Sequence, residues 1–131
     1  MSAPTSEEFF VMQIGVSVGF DAAHSLPEYP GECRNVHGHT YQVEVVVEGE
    51  IDPETRFVVD FADLKEILRG VVEELDHRYI NDVIEYPTAE YIALYIKRGV
   101  EARLSENLRL VSVRLYEGEG KWVEITVPCK T

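Results

Sequence analysis

The sequence predicts an α+β fold: a four-stranded antiparallel sheet with two helices on one of its faces. Three observations carry this expectation. Apolar residues recur with period two in two stretches near the N-terminus and two near the C-terminus. Between them the spacing changes to three and four residues, twice, so the order reads β-β-α-α-β-β. Finally, 131 residues, 45% of them hydrophobic and 27% charged, suit one domain with a buried core.

Residues 1–10 are polar around Pro4 and read as a loose N-terminal arm, leaving residues 11–131 as the single domain. The first strand alternates Met12, Ile14, Val16, Val18 and Phe20 with Gln13, Gly15, Ser17 and Gly19. Ala22 to Arg34, punctuated by Pro27, Pro30 and Gly31, reads as loop. In the second strand His37, His39, Tyr41, Val43, Val45 and Val47 share one parity, against Gln42, Glu44 and Glu48. Asp52-Pro53-Glu54-Thr55 is a turn with proline at its second position, and Phe57-Val58-Val59 reads as a short strand.

The first helix has its apolar face on Phe61, Leu64, Ile67, Leu68, Val71, Val72 and Leu75, with Asp60 or Asp63 as cap. The second opens near Thr88, an N-cap after Pro87, and faces inward with Ile92, Tyr95, Ile96, Val100 and Leu104. Strands over residues 108–117 and 122–127 close the chain, joined by the hairpin loop Gly118-Glu119-Gly120. Such a sheet has open edges and one uncovered face, expected to be largely apolar. Assembly into an oligomer is one remedy for both.

Charge narrows the function. Twelve basic residues against 24 acidic ones give a net charge of −12, which repels nucleic-acid backbones and anionic membranes. No apolar run approaches the roughly 18–20 residues of a membrane span. The N-terminal residues lack the basic and apolar regions of a signal peptide, and two cysteines are no disulfide framework. The expectation is a soluble, intracellular single domain, cytoplasmic in place.

Three of the four histidines, His24, His37 and His39, lie within sixteen residues. His37 and His39 flank Gly38, so on a strand their rings project from one face, and a hairpin-like return brings His24 alongside. Three imidazoles converging this way suit tetrahedral zinc with one position left open. Cys33, four residues before His37, has three readings. It is a fourth ligand closing a structural site, a thiolate base or nucleophile activated beside the metal and Arg34, or an inert buried thiol. Cys129 has no such company and is assigned no role.

Asp76-His77 pairs a carboxylate with an imidazole, an arrangement that fixes a tautomer for acid–base work if the side chains touch. Otherwise it is a solvated helix end. Glu117 shares parity with Val111, Val113 and Leu115, so the apolar side of that strand ends in a carboxylate. If buried, it needs donors such as the adjacent N–H groups of a ligand. If the strand has already ended, it is simply wet.

Together these residues resemble the 6-pyruvoyl-tetrahydropterin synthase and 6-carboxy-tetrahydropterin synthase family. The resemblance spans roughly Val16 to Val127. It rests on Phe20-Asp21-Ala22-Ala23-His24, Cys33-x-x-x-His37-Gly38-His39, Asp60-Phe61, Leu75-Asp76-His77, Pro87-Thr88-Ala89-Glu90 and Tyr116-Glu117. It implies the tunnelling fold, zinc bound by His24, His37 and His39, and Cys33 as general base with Asp76 and His77 as its proton relay. It further implies Glu117 as the pterin anchor, assisted by Thr88 and Glu90. Ala89 departs from relatives that carry Ser or Thr there.

The implied substrate is 7,8-dihydroneopterin triphosphate. The three residues between Cys33 and His37 are similar to the carboxy-forming branch, which releases acetaldehyde and triphosphate and serves deazaguanine (queuosine-type) synthesis. The pyruvoyl-forming branch spaces them more widely. A branch that makes a hydroxymethylpterin carries Glu in place of this Cys, and Cys33 argues against it. The family further implies trimers closing a barrel, paired as a hexamer, with zinc, Cys33 and pterin anchors meeting across subunit boundaries. Outside the enzyme class, the competitors are a structural zinc protein closed by Cys33 and a cupin-like metal barrel. The two mid-chain helices fit an all-β barrel badly. A TIM-barrel hydrolase is excluded by length.

Overall fold

In a computed structural model that describes residues 10–129, β1 (Val11–His24) and β2 (His37–Glu50) pair along their whole length. Of the expected N-terminal arm only Phe10 falls among the described residues, and it is exposed. After β2 come α1 (Phe61–Val72), α2 (Ala89–Arg103), β3 (Arg109–Glu117) and β4 (Trp122–Thr126). The sheet is antiparallel throughout, in the order β1-β2-β3-β4. The predicted sheet and helices are therefore present.

β1 is longer than its alternation indicates. Ala22 to His24, read as the start of a loop, pair with residues 37–39 of β2. The outer edge of this extension is held as well. Ala23 N–H donates to the Arg78 carbonyl at 3.0 Å, and His77 N–H donates to the Asp21 carbonyl at 2.6 Å. Pairing on both sides overrides the weak strand preference of Ala.

Two further expectations are corrected. Phe57-Val58-Val59 is not a strand. Arg56, at φ +68°, turns the chain, and Asp52 and Phe57 close it with a 2.8 Å N–H to carbonyl bond, leaving only Val58 buried. In β3 the register slips between Val46 and Val47 of its neighbour, so Leu110 occupies the core position expected of Val111. A bulge of this kind shifts the alternation by one residue on its far side. Val113, Leu115 and Glu117 keep their shared parity.

Asp60 caps α1, accepting the Ala62 N–H at 2.7 Å, and Thr88 caps α2, accepting that of Tyr91 at 3.2 Å. α1 buries Leu64, Leu68, Val71 and Val72, while Phe61, at its first position, stays exposed. α2 buries Ile92, Ala93, Ile96 and Val100. The helices touch where a Cβ at Gly99 would meet Val71 Cγ1 at 2.7 Å, so no larger residue fits there. Together they cover the sheet face that carries Phe20, Tyr41, Val43, Val45, Val113 and Leu115.

The opposite face is not apolar, contrary to expectation. It presents Ser17, Asp21, Gln42, Glu44, Arg114 and Glu124, with Arg114 bonded to Glu124 at 2.9 Å and stacked 4.4 Å over Trp122. Strict alternation sends most of the apolar residues of the sheet to the helix-covered side. A case for assembly therefore rests on the outer edges of β1 and β4, not on a greasy face.

Candidate active site

The site lies at one end of the sheet, on its helix-covered face. The hairpin register sets His24, the last residue of β1, directly opposite His37, the first of β2. His39 is two residues on, with its ring 4.8 Å from that of His37 and 5.2 Å from that of His24. One ligand nitrogen from each converges, all within 4.8 Å of one another.

Backbone carbonyls orient two of these rings. A carbonyl only accepts, so His24 Nδ1–H donates to Pro87 O at 2.8 Å and His37 Nδ1–H to Asn35 O at 2.7 Å. Each tautomer then leaves Nε2 as a bare lone pair. All three Nε2 atoms are buried and have no hydrogen-bond partner. Burial, opposed by Glu117 but helped by the crowding of His24 and His37, holds His39 below the ordinary imidazole range. Converging Nε2 atoms with no partner, two of them on rings whose Nδ1–H is held by a carbonyl, are what a divalent metal requires. The set fits zinc.

Glu117, at the end of β3, is brought to the same point. Its Oε1 lies 3.3 Å from His39 Nε2, close enough to interact but without hydrogen-bond geometry. The hairpin locks this position: Glu117 N–H donates to Lys121 O and Gly118 N–H to Thr40 O, each at 3.0 Å. Gly118 and Gly120 take φ +69° and +77°, a conformation glycine adopts without strain. Glu117 is thus largely buried, not wet, and it meets the histidines within one chain.

Asp76 and His77 touch, with Asp76 Oδ1 accepting from His77 Nδ1 at 2.9 Å and from the Asp21 N–H at 3.0 Å. The Asp21 amide, then His77, hold the Asp76 carboxyl below the usual carboxylate range. His77 itself adopts φ +58° and leaves its ring exposed. It lines an open cleft of about 610 Å³ that His39, Thr40 and Arg78 also border.

Cys33 sits half-buried in a short 3-10 turn, Glu32–Arg34, whose carbonyl at Cys33 accepts the Leu26 N–H. It stands outside the converging group of three imidazoles. No hydrogen bond joins its side chain to Asp76 or His77 among the described residues. Thr88 spends its acceptor on the α2 cap, and Glu90 is exposed on the first turn of that helix.

Some contributors were not singled out from the sequence. Pro87 and Asn35 act through backbone carbonyls, which no side-chain pattern reveals. Asp21 acts through its amide. Tyr41 was legible, since it shares the parity of His37 and His39.

The sequence profile of the 6-pyruvoyl tetrahydropterin synthase family matches residues 13–128. The chain is 43% identical over 114 residues to an Archaeoglobus fulgidus protein provisionally named 6-carboxy-5,6,7,8-tetrahydropterin synthase, covering 87% of this chain and 95% of that one. It is also 43% identical over 106 residues to the dihydroneopterin monophosphate aldolase of Pyrococcus furiosus, covering 81% and 90%. The solved structure of Caenorhabditis elegans 6-pyruvoyl tetrahydropterin synthase superposes with a TM-score of 0.81 at 26% identity, covering 92% and 99%.

Proposed function

This chain belongs to the 6-pyruvoyl tetrahydropterin synthase family, and on that premise we propose that it is a zinc-dependent lyase acting on 7,8-dihydroneopterin triphosphate. Its product is 6-carboxy-5,6,7,8-tetrahydropterin, with one water consumed and acetaldehyde and triphosphate released, in a deazaguanine pathway of the cytoplasm. The observation that carries the reading is the convergence of three buried Nε2 atoms with no other partner. No described helix is long and apolar enough to cross a membrane.

His24, His37 and His39 hold the metal. Bound there, zinc supplies Lewis acidity that polarises side-chain oxygens and makes the neighbouring C–H acidic. Cys33 takes that proton as thiolate, a role its place outside the ligand group leaves free. Asp76 fixes the Nδ1–H tautomer of His77, so the exposed Nε2 can pass the proton on. Glu117 accepts the adjacent N–H groups of the pterin in one bidentate contact, while Thr88 and Glu90 steady the ring. Among the described residues no hydrogen bond joins Cys33 to His77, and in this reading the relay is completed between copies of a homohexamer built as paired trimers.

Glu117→Gln is expected to raise the Kd for pterin at least ~10-fold, because it leaves ligand donors unpaired in a buried site, while zinc content and melting stay normal. Calorimetry with a non-reacting pterin checks this, and unchanged affinity would remove Glu117 from the anchor role.

The Pyrococcus relative favours a second reading, aldol cleavage of a dihydroneopterin monophosphate. A third product, 6-pyruvoyl-tetrahydropterin, is possible from the triphosphate. One experiment separates them: zinc-loaded protein is incubated with each phosphate ester and the products identified. Acetaldehyde with a 6-carboxypterin from the triphosphate supports the proposal. A hydroxymethylpterin from the monophosphate replaces it with the aldolase, and a pyruvoyl product with the third reading.

A further inference from the structure

We propose that Tyr41 is a positioning residue of the metal centre, its hydroxyl hydrogen-bonded to the oxygen ligand that completes coordination beside His24, His37 and His39. The inference rests on the metal-binding part of the reading above and not on which pterin product is formed.

The reasoning starts from unmet hydrogen-bond demand. Among the described residues, four buried side-chain nitrogen or oxygen atoms have no partner: Nε2 of His24, His37 and His39, and Oη of Tyr41. Folded chains pair such atoms almost everywhere, so an orphan calls for an explanation. Here the four orphans are not scattered. The Tyr41 ring packs edge-on against His39 at 5.7 Å and against His24 at 6.2 Å, so the ring that carries the orphan hydroxyl borders the imidazoles that carry the orphan nitrogens.

The tyrosine is also held in place. It is fully buried and stacks flat on Phe20, with centroids 4.9 Å apart and planes 12° from parallel. A phenylalanine would keep every one of these ring contacts, so packing does not account for the hydroxyl. A metal explains the three nitrogens, and three imidazoles leave a fourth tetrahedral position for an oxygen ligand. That ligand is the acceptor the hydroxyl lacks. Such outer contacts orient the ligand and strengthen the site. A competing protein partner is Glu117, which faces Tyr41 across the β2–β3 ladder, yet no hydrogen bond joins the two.

The test compares Tyr41→Phe with the wild-type chain in zinc titration calorimetry and thermal melting, with and without metal. The expected result is an apo variant that melts at or above the wild type, since an unsatisfied buried hydroxyl has been removed. Zinc should still bind at one per chain, but about 10–100-fold more weakly. The cobalt-substituted variant should also show altered visible bands. Equal zinc affinity in the two proteins overturns the proposal while leaving the metal centre standing. An apo variant destabilised together with Glu117→Gln, non-additively, overturns it in favour of a Tyr41–Glu117 bond. A wild-type chain that binds no zinc overturns both this inference and the metal-centre reading.

Discussion

Replacing Cys33 by alanine is expected to slow turnover at least ~100-fold, the usual scale for loss of a general base, while zinc content and melting temperature stay at wild-type values. The combination matters more than the loss. Cys33 lies outside the three converging imidazoles, so a base and a fourth ligand predict different things. As a base, its removal leaves metal in place. As a ligand closing a structural site, its removal releases zinc and loosens the β1–β2 loop. Cys129→Ala should be indistinguishable from wild type. Turnover and bound zinc, measured on the same preparation, decide between the roles, and near-normal turnover in Cys33→Ala would eliminate it as the base. The variant also probes assembly. Mixed with His77→Ala after dissociation and reassociation, it should regain activity if the relay forms between copies, because some sites then combine an intact Cys33 with an intact His77.

His24→Ala should abolish both stoichiometric zinc and activity. His24 is the most buried of the three ligands, and Pro87 O holds its Nδ1–H, so its removal leaves two imidazoles and takes away an oriented third nitrogen. A ligand that binds only the folded state stabilises by RT ln(1 + [L]/Kd), about 2.7 kcal/mol at a hundredfold excess over Kd. The wild-type chain should therefore melt higher with zinc, and the variant should not respond. Elemental analysis and melting with and without zinc read both effects. One zinc per chain in His24→Ala would overturn the three-histidine site.

Much of this was legible before any coordinates, for identifiable reasons. Period-two and helical spacing are local consequences of backbone geometry, so they reported the order β-β-α-α-β-β, and Asp60 and Thr88 reported their helix starts. His37-Gly38-His39 on a strand had to put two imidazoles on one face. Where the same patterns failed, a neighbouring segment had intervened. β1 runs on through Ala22–His24 because residues 77 and 78 bond to its edge. Leu110 displaces Val111 because a bulge opposite Val46 and Val47 shifts the register.

What the chain determines by itself is thus the list of groups and the faces they occupy: three imidazoles, a thiol, an Asp-His pair and a terminal carboxylate on the core side of β3. The tertiary structure decided which of them meet. Hairpin register put His24 opposite His37, the β3 hairpin carried Glu117 to within 3.3 Å of His39, and the Pro87 and Asn35 carbonyls chose the tautomers. It also gave Cys33 no hydrogen bond to Asp76 or His77 among the described residues, and made the uncovered sheet face largely polar. The reason is physical: parity along a strand is set within a few residues. Distances between side chains 13 to 78 positions apart depend on ladder register, turns and backbone carbonyls, which no local pattern contains.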